Sequence, residues 1–424
     1  MNFNTISVIG LGYIGLPTAA MFASKKKKVV GVDINQKTID IINDGNIHIV
    51  EPGLDLLVKD AVDNGYLSAS LVPEPADAFI IAVPTPFQKL KSGENIPRPD
   101  LSYIKSASKL IAKVLKKGDL VILESTSPVG ATEKMSNWLA NERKDLTFPQ
   151  EHGVNSDIRI AHCPERVLPG KVINELVEND RILGGITKDC SKAANELYKI
   201  FVEGECISTN ARTAEMAKLT ENASRDVGIA FANELSVICD NLDIDVWELI
   251  KLANRHPRVD ILQPGPGVGG HCIAVDPWFI VSQSESEAKL IHTARIVNDS
   301  KPAWVIEKIR STVLKYLESY PNKNINEVKI GLFGIAFKAD IDDLRESPAK
   351  SIAEEINKSF LGDIIIVEPN IKLLPESLYK CKLLSPEEAI PYVDIAVILV
   401  NHKEFYQLDF SDKIVLDTKG IMPK

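Results

Sequence analysis

Four glycines fall within six positions, and a histidine and a cysteine follow at once, in the stretch Gly265-Pro-Gly-Val-Gly-Gly-His-Cys272. Glycine has no Cβ, so such a run lets a ligand or other backbone come close. Three chemistries are open to the Cys272 thiol. It can be a nucleophile if a cation holds its thiolate. It can ligate a metal with His271 and the pair His162–Cys163, although adjacent His-Cys pairs lack zinc-site spacing. It can also be a small apolar core group. Lys218 could be the cation, provided the helix that carries it faces the glycine loop. Lys218, Asn222 and Arg225 stand at i, i+4 and i+7 and therefore share one helical face, as a solvated stripe also would. Asp276 precedes Pro277 and a helical run, so it is either a site carboxylate or an N-cap. Glu165 and Arg166 follow a predicted strand in the stretch HCPERVLPG, as site residues or as an ion pair of the loop.

A second signal lies at the start of the chain. Gly10-Leu-Gly12-Tyr13-Ile14-Gly15 follows a predicted strand and opens a predicted helix. In that context the first glycine permits the tight turn, the second lets a pyrophosphate approach, and the third lets helix and sheet pack closely. The next predicted strand closes on Asp33, where an acid accepts from the adenosine ribose hydroxyls and repels a 2′-phosphate. The pattern predicts an NAD site rather than an NADP site. Thr85 and Thr126 end two later strands, in VPTP and ESTSPVG, where open α/β sheets place their ligands; turn chemistry alone would also favour these residues.

The elements that must position these groups are legible in the pattern. TISVIGLG, KVVGVDI, AFIIAVPT, DLVILEST and IRIAHCPE read as buried strands, with helical segments such as YIKSASKLIAKVLKK between them. This is the punctuation of a parallel, doubly wound sheet. From Ser208 the texture turns helical, beginning with one pattern of about eight turns. It continues through residues 244–255 and 289–317. Strands return with VKIGLFGIAF, DIIIVEPN, VDIAVILV and KIVLDTKG, and Ser347-Pro348 starts a helix among them. The expected fold is α/β: two Rossmann-like doubly wound parallel-sheet domains joined by a central helical domain with one long helix. The expected boundaries are 1–208, 209–318 and 319–424. The loop 84–100, rich in proline and lysine, is expected to be mobile and near a site.

With 424 residues, 45% hydrophobic and 25% charged, the chain has the make-up of a soluble globular protein. A net charge of −9 argues against a nucleic-acid partner. The apolar stretch ISVIGLGYIGLPTAAMFA lacks a basic region before it and carries the glycine signature, so no membrane role is expected. Six scattered cysteines without a C-x-x-C pair fit reduced thiols in a cytoplasm.

GLGYIGLPTA, VPTP, ESTSPVG, CPERVLPG, RTAEMAKLTEN, NRHPRV, GPGVGGHCIAVDPW, GIAFK and DDLRESPA together resemble the UDP-glucose/GDP-mannose dehydrogenase family, in the family's order, from about Ser7 to Asn370. The resemblance implies a four-electron oxidation of the C6 alcohol of a nucleotide sugar, with two NAD per product. It implies that Cys272 is the nucleophile, forming a thiohemiacetal and then a thioester, and that the glycines let the sugar reach the thiol. Lys218 and Asn222 would hold the oxyanion, and Asp276 would orient Lys218 or a water. Glu165 would activate the hydrolytic water, placed by Thr126. Gly10, Gly12, Tyr13, Ile14, Gly15, Asp33, Thr85, Thr126 and Arg345 would bind NAD. Arg166, Val167, Lys218, Asn222, Arg225, His256, Arg258, Gly269 and Lys338 would bind the sugar nucleotide, with Arg258 reaching into the neighbouring site of a homodimer. The family's UDP-glucose and GDP-mannose members typically carry GGSC, whereas this chain has GGHC. That departure implies a UDP-N-acetylhexosamine substrate, N-acetylmannosamine before its C2 epimer, and a product feeding a surface polysaccharide such as enterobacterial common antigen or a capsule.

Overall fold

The structure is a computed structural model and describes residues 3–90, 93–168, 170–270 and 272–422. It divides into two compact units, residues 1–221 and 222–424.

The first unit is built on eight strands: β1 (Thr5–Ile9), β2 (Lys28–Val32), β3 (Leu67–Ser70), β4 (Ala78–Ile81), β5 (Leu120–Leu123), β6 (Arg159–His162), β7 (Arg181–Gly185) and β8 (Cys206–Asn210). Their order is β3-β2-β1-β4-β5-β6-β7-β8. Residues of β1 and β4 alternate between two apolar clusters. Ile6, Val8, Ala78 and Ile80 join one, and Ile9, Phe79 and Ile81 join the other. A sheet buried on both faces is written as continuous apolar strands, which is why these runs could be read directly. The order reverses between β1 and β4, and the crevice beyond their carboxyl ends is where such sheets hold ligands.

Within this otherwise parallel sheet β7 runs antiparallel to β6. β8 then pairs parallel to β7. Segments of the loop 84–100 pair with each other. Gln88 N–H donates to Arg98 O at 2.8 Å and Asp100 N–H to Pro86 O at 2.7 Å, around an antiparallel bridge of Phe87 with Pro99.

The second unit holds β9 (Lys329–Phe333), β10 (Asp363–Val367), β11 (Lys382–Leu383), β12 (Ile395–Ile398) and β13 (Ile414–Asp417), all parallel, in the order β11-β10-β9-β12-β13. Here too the strands alternate between two clusters, Ile330, Leu332, Ile366 and Val397 against Phe333, Ile365, Val367 and Ile398. Ser347 caps the helix Pro348–Ser359 by accepting from the Lys350 N–H, with Pro348 in its first turn, as the Ser-Pro pair predicted.

Along the chain, four helices separate β8 from β9: Ala211–Asn241, Val246–Ala253, Asp276–Gln283 and Lys289–Ser319. The 31 residues of Ala211–Asn241 are continuous across the boundary between the units. Within the second unit a buried polar network ties this helix to Lys289–Ser319. The fully buried Asp226 carboxylate accepts from Arg295 at 2.6 Å and from Asn298 at 2.8 Å. Asn233 donates to Asn298 at 2.9 Å and accepts the Gly265 N–H at 2.9 Å. The glycine loop thus begins on a hydrogen bond to the long helix.

Candidate active site

The first glycine cluster is shaped as a phosphate cradle. Gly10 has φ +94°, and a Cβ there would lie 2.6 Å from Ala82 O; a Cβ on Gly15 would lie 1.8 Å from Gly10 O. A Cβ on Gly12 would meet nothing within 4 Å, so its outer side is open to a ligand. The helix Gly15–Ser24 has Ile14 at its N-cap, whose side chain makes no cap bond. A helix start without a side-chain cap suits an anion such as a pyrophosphate. Tyr13 beside this helix start is exposed. Asp33 holds the turn from the other side, accepting the Leu11 N–H at 3.0 Å and the Asn35 N–H at 2.9 Å. Thr85 Oγ1 donates to Thr126 O at 2.6 Å and so fastens the ends of β4 and β5 together. These residues fit an adenine dinucleotide.

Asp33→Asn should raise the KM for NAD about tenfold with kcat within about twofold, since a charge-assisted hydrogen bond contributes roughly 1.5–3 kcal/mol. Steady-state kinetics at varied NAD reads it; an unchanged KM removes Asp33 from the cofactor site.

Glu165 and Arg166 do not pair with each other. The buried Glu165 carboxylate bonds the Arg181 guanidinium and accepts the Arg166 N–H at 2.7 Å. The Arg166 side chain instead reaches Glu221 at 2.7 Å. Arg181 could not be paired with Glu165 from sequence, because it arrives on β7, the strand that reverses the sheet. Val167 is half-buried against the core of this unit. Glu124, the residue after β5, is buried beside this pair and accepts from Tyr198 Oη at 2.9 Å and Thr18 Oγ1 at 3.3 Å. Burial, together with the Glu165 charge, raises the Glu124 carboxyl to about 8, against Arg181, Tyr198 and Thr18. The folded protein therefore holds a proton that the unfolded chain has released. Its stability contribution is complete below the unfolded value near 4.5 and is lost as pH rises through about 8. In Glu124→Gln the fall in the urea midpoint between pH 5 and pH 8 should flatten, and an unchanged slope would assign it to another group.

Around Cys272 the second unit assembles a turn. Cys272 is exposed, and its carbonyl accepts the N–H groups of Val275 at 3.1 Å and Asp276 at 2.9 Å. Asp276 is the first residue of the helix Asp276–Gln283, with Val275 at the N-cap, so the N-cap reading of Asp276 is corrected. Its carboxylate, 3% exposed, accepts from Asn222 Nδ2 at 2.6 Å. That bond joins two of the expected site residues and fixes the Asn222 amide. Lys218, itself buried, lies one turn earlier on the same helix, and Arg225 is exposed one turn later. His256 and Arg258 share an exposed turn in which the Arg258 N–H donates to His256 Nδ1 at 3.3 Å. Lys338 and Arg345 are exposed on the loops after β9, Arg345 in an ion pair with Asp343 at 2.6 Å. Of the metal alternative, His162 and Cys163 are fully buried, with burial driving the imidazole down to about 3 and the thiol up to about 12. His271 lies outside the described residues.

The glycines beside Cys272 leave room for protein. A Cβ on Gly269 would lie 2.5 Å from Glu346 O and 2.7 Å from Pro348 Cδ. A Cβ on Gly270, at φ +81°, would meet the Phe337 ring at 3.1 Å, and one on Gly267 would meet Pro348 at 3.0 Å and Pro302 at 3.2 Å. The loop is glycine-rich because the stretches GIAFK and RESP press against it.

Comparison with known proteins now decides the family. Residues 4–202 match the NAD binding domain of the UDP-glucose/GDP-mannose dehydrogenase family, residues 212–300 its central domain and residues 331–424 its UDP binding domain. The chain belongs to the UDP-glucose/GDP-mannose dehydrogenase family. As a member it is a nucleotide-sugar dehydrogenase that uses NAD. It is 63% identical, over 97% of its length and 98% of the relative's, to UDP-N-acetyl-D-mannosamine dehydrogenase of Campylobacter jejuni. It is 58% identical, over 99% of its length and 97% of the relative's, to NDP-N-acetyl-D-galactosaminuronic acid dehydrogenase of Ralstonia nicotianae. Among solved structures, a UDP-N-acetyl-mannosamine dehydrogenase from Staphylococcus aureus superposes with a TM-score of 0.84 at 42% identity, over 99% of this chain and 96% of that one. No helix among the described residues is long and apolar enough to cross a membrane.

Two buried carboxylates that hold loops next to expected site residues escaped the sequence reading. Glu215, on the long helix, accepts from Gly130 N–H at 2.6 Å and Thr132 N–H at 2.8 Å, holding the loop that follows Thr126. Glu51 accepts from Gly170 N–H at 2.9 Å and Val172 N–H at 2.8 Å, holding the loop that follows Glu165. Each looks in sequence like an ordinary surface acid; only burial, with each 5% exposed or less, sets them apart.

Proposed function

We propose that the chain oxidises UDP-N-acetyl-D-mannosamine at C6 to UDP-N-acetyl-D-mannosaminuronate, through a covalent intermediate on Cys272. The observation that carries this reading is the full-length likeness at 63% identity to a dehydrogenase of that sugar, supported by the turn that presents Cys272 beside the Asn222–Asp276 pair.

Two molecules of NAD, bound one after the other, would supply the hydride acceptors for the two oxidations. Loss of the first hydride and a proton turns the C6 alcohol into an aldehyde. Cys272 Sγ bonds to the aldehyde carbon, and the carbonyl oxygen, held by Lys218 and the second Asn222 amide hydrogen, takes a proton. This thiohemiacetal loses the second hydride and a proton to become a thioester. Water, activated by Glu165 and placed by Thr126, adds to the thioester carbon. The C–S bond breaks, the thiol regains its proton, and the acid leaves. The covalent link keeps the aldehyde bound between the two oxidations. Asp276 acts by fixing Asn222. Arg166, Val167, Arg225, His256, Gly269 and Lys338 hold the sugar nucleotide, and Arg345 reaches NAD.

The long helix carries exposed Phe231 and Ile238, and exposed Leu242 follows its last residue, apolar surface suited to a second copy in a homodimer, with Arg258 completing the neighbouring site. The acid product suits export into a surface polysaccharide.

The likeness to the galactosaminuronic enzyme favours a second reading, the same chemistry on another UDP-N-acetylhexosamine. The test is NADH formed per sugar consumed, run on UDP-N-acetylmannosamine and on the gluco and galacto sugars. Two NADH on the manno sugar alone are expected. Two on another sugar alone would move the substrate and keep the mechanism, and one would remove the thioester.

A further inference from the structure

The loop leaving β9, residues 334–340, carries Phe337 and Lys338, and its backbone is held by two side chains from other strands. Glu368, just after β10 and 2% exposed, accepts the Ile335 N–H at 2.8 Å and the Ala336 N–H at 3.0 Å on one oxygen, Oε2. His402, after β12 and fully buried, accepts the Asp340 N–H on Nδ1 at 2.9 Å. Nδ1 is an acceptor there, so the ring proton belongs on Nε2, which lies 3.0 Å from the same Glu368 oxygen. Burial works to raise the Glu368 carboxyl, yet His402 and the two N–H groups hold it below its ordinary value, so it is a carboxylate at neutral pH. Ser347 Oγ closes the bracket by donating to Ile335 O at 2.7 Å.

The outer side of the bracket carries the glycine loop. Gly269 lies against Glu346, Pro348 and Phe337, and Gly270 against the Phe337 ring; Cys272 follows two residues later. The carboxyl ends of β9 and β12 flank the point where this sheet's order reverses, the ligand position of such sheets, in the part of the chain that matches the UDP binding domain.

We propose that Glu368 and His402 are positioning residues that clamp the loop 334–340 between the nucleotide half of the substrate and the Cys272 loop, so that UDP binding sets the position of the thiol. Interactions with the nucleotide, far from C6, are thereby spent on placing the nucleophile. The inference rests on Cys272 being the reacting thiol.

Its test uses UDP as probe, saturating for each protein as calorimetry sets it, and iodoacetamide as reagent. The mass of the Cys272 peptide gives the alkylation rate with and without UDP. In the unaltered enzyme UDP changes that rate. In Glu368→Gln and in His402→Gln the ratio returns towards one although UDP is bound, and kcat falls at least about tenfold. A ratio unmoved by UDP in the unaltered enzyme, or retained in both variants, overturns the clamp; in the latter case UDP acts by covering the thiol directly. Failure of the covalent reading shows separately, as uronate formation that survives Cys272→Ser.

Discussion

Cys272→Ser should cut uronate formation by at least about 10³-fold, because removing a covalent nucleophile removes the path and not one contact. A serine hydroxyl is nearly isosteric, so the turn that joins residue 272 to the N–H groups of Val275 and Asp276 survives. What goes is the group that adds to the aldehyde without a dedicated base. The variant should still bind UDP and NAD, and a single turnover should give at most one NADH per sugar. Product analysis by chromatography decides the matter. A wild-type yield of uronate would mean that the aldehyde is hydrated and oxidised without a bond to sulfur, and that Cys272 only lines the site.

The second large effect is on stability. Asp226→Ala should destabilise the fold by about 3–5 kcal/mol, the usual result of removing one partner of a buried ion pair. The Arg295 side chain is 2% exposed, and Asp226 is its fully buried partner; the other acid it bonds, Asp299, is half exposed. The Asn298 amide also loses that carboxylate and keeps only the residue 226 carbonyl, which it bonds at 3.0 Å; its oxygen in turn orients Asn233 beneath Gly265. The measurement is urea unfolding followed by circular dichroism. Removing the exposed Lys109–Glu142 pair with Glu142→Ala is the control and should cost no more than about 1 kcal/mol. A midpoint for Asp226→Ala equal to that control would show that Arg295 finds water or Asp299 at no cost.

How much of this was legible in the sequence follows from what each element buries. β1, β4, β5, β9 and β12 are covered on both faces, and their apolar runs announced them. β3 and β8 were missed for the opposite reason. Leu67–Ser70 alternates buried with exposed or half-buried residues over four positions, and Cys206–Asn210 is exposed or half-buried throughout, so neither stands out from a loop. The antiparallel seating of β7 beside β6 is a tertiary choice that no strand pattern encodes. The helical stripe of Lys218, Asn222 and Arg225 was visible, but nothing local could tell that Asn222 meets a carboxylate 54 positions away. The same limit hid Glu368 and His402. A buried acid and a buried histidine look in sequence like any others, and only tertiary hydrogen bonds to the backbone of a distant loop give them a task.

The clearances around Gly269 carry a consequence for how such a chain can vary. Residue 269 cannot gain even a methyl group while Glu346 and Pro348 keep their places, and Pro348 cannot shift without disturbing the first turn of the helix it opens. The two stretches should therefore drift together or stay still. In a library that randomises residue 269 alone, glycine should be recovered almost exclusively. In one that randomises 269, 337, 346 and 348 together, the survivors should be matched sets, and grafting either stretch singly from a distant relative should fail where grafting both succeeds.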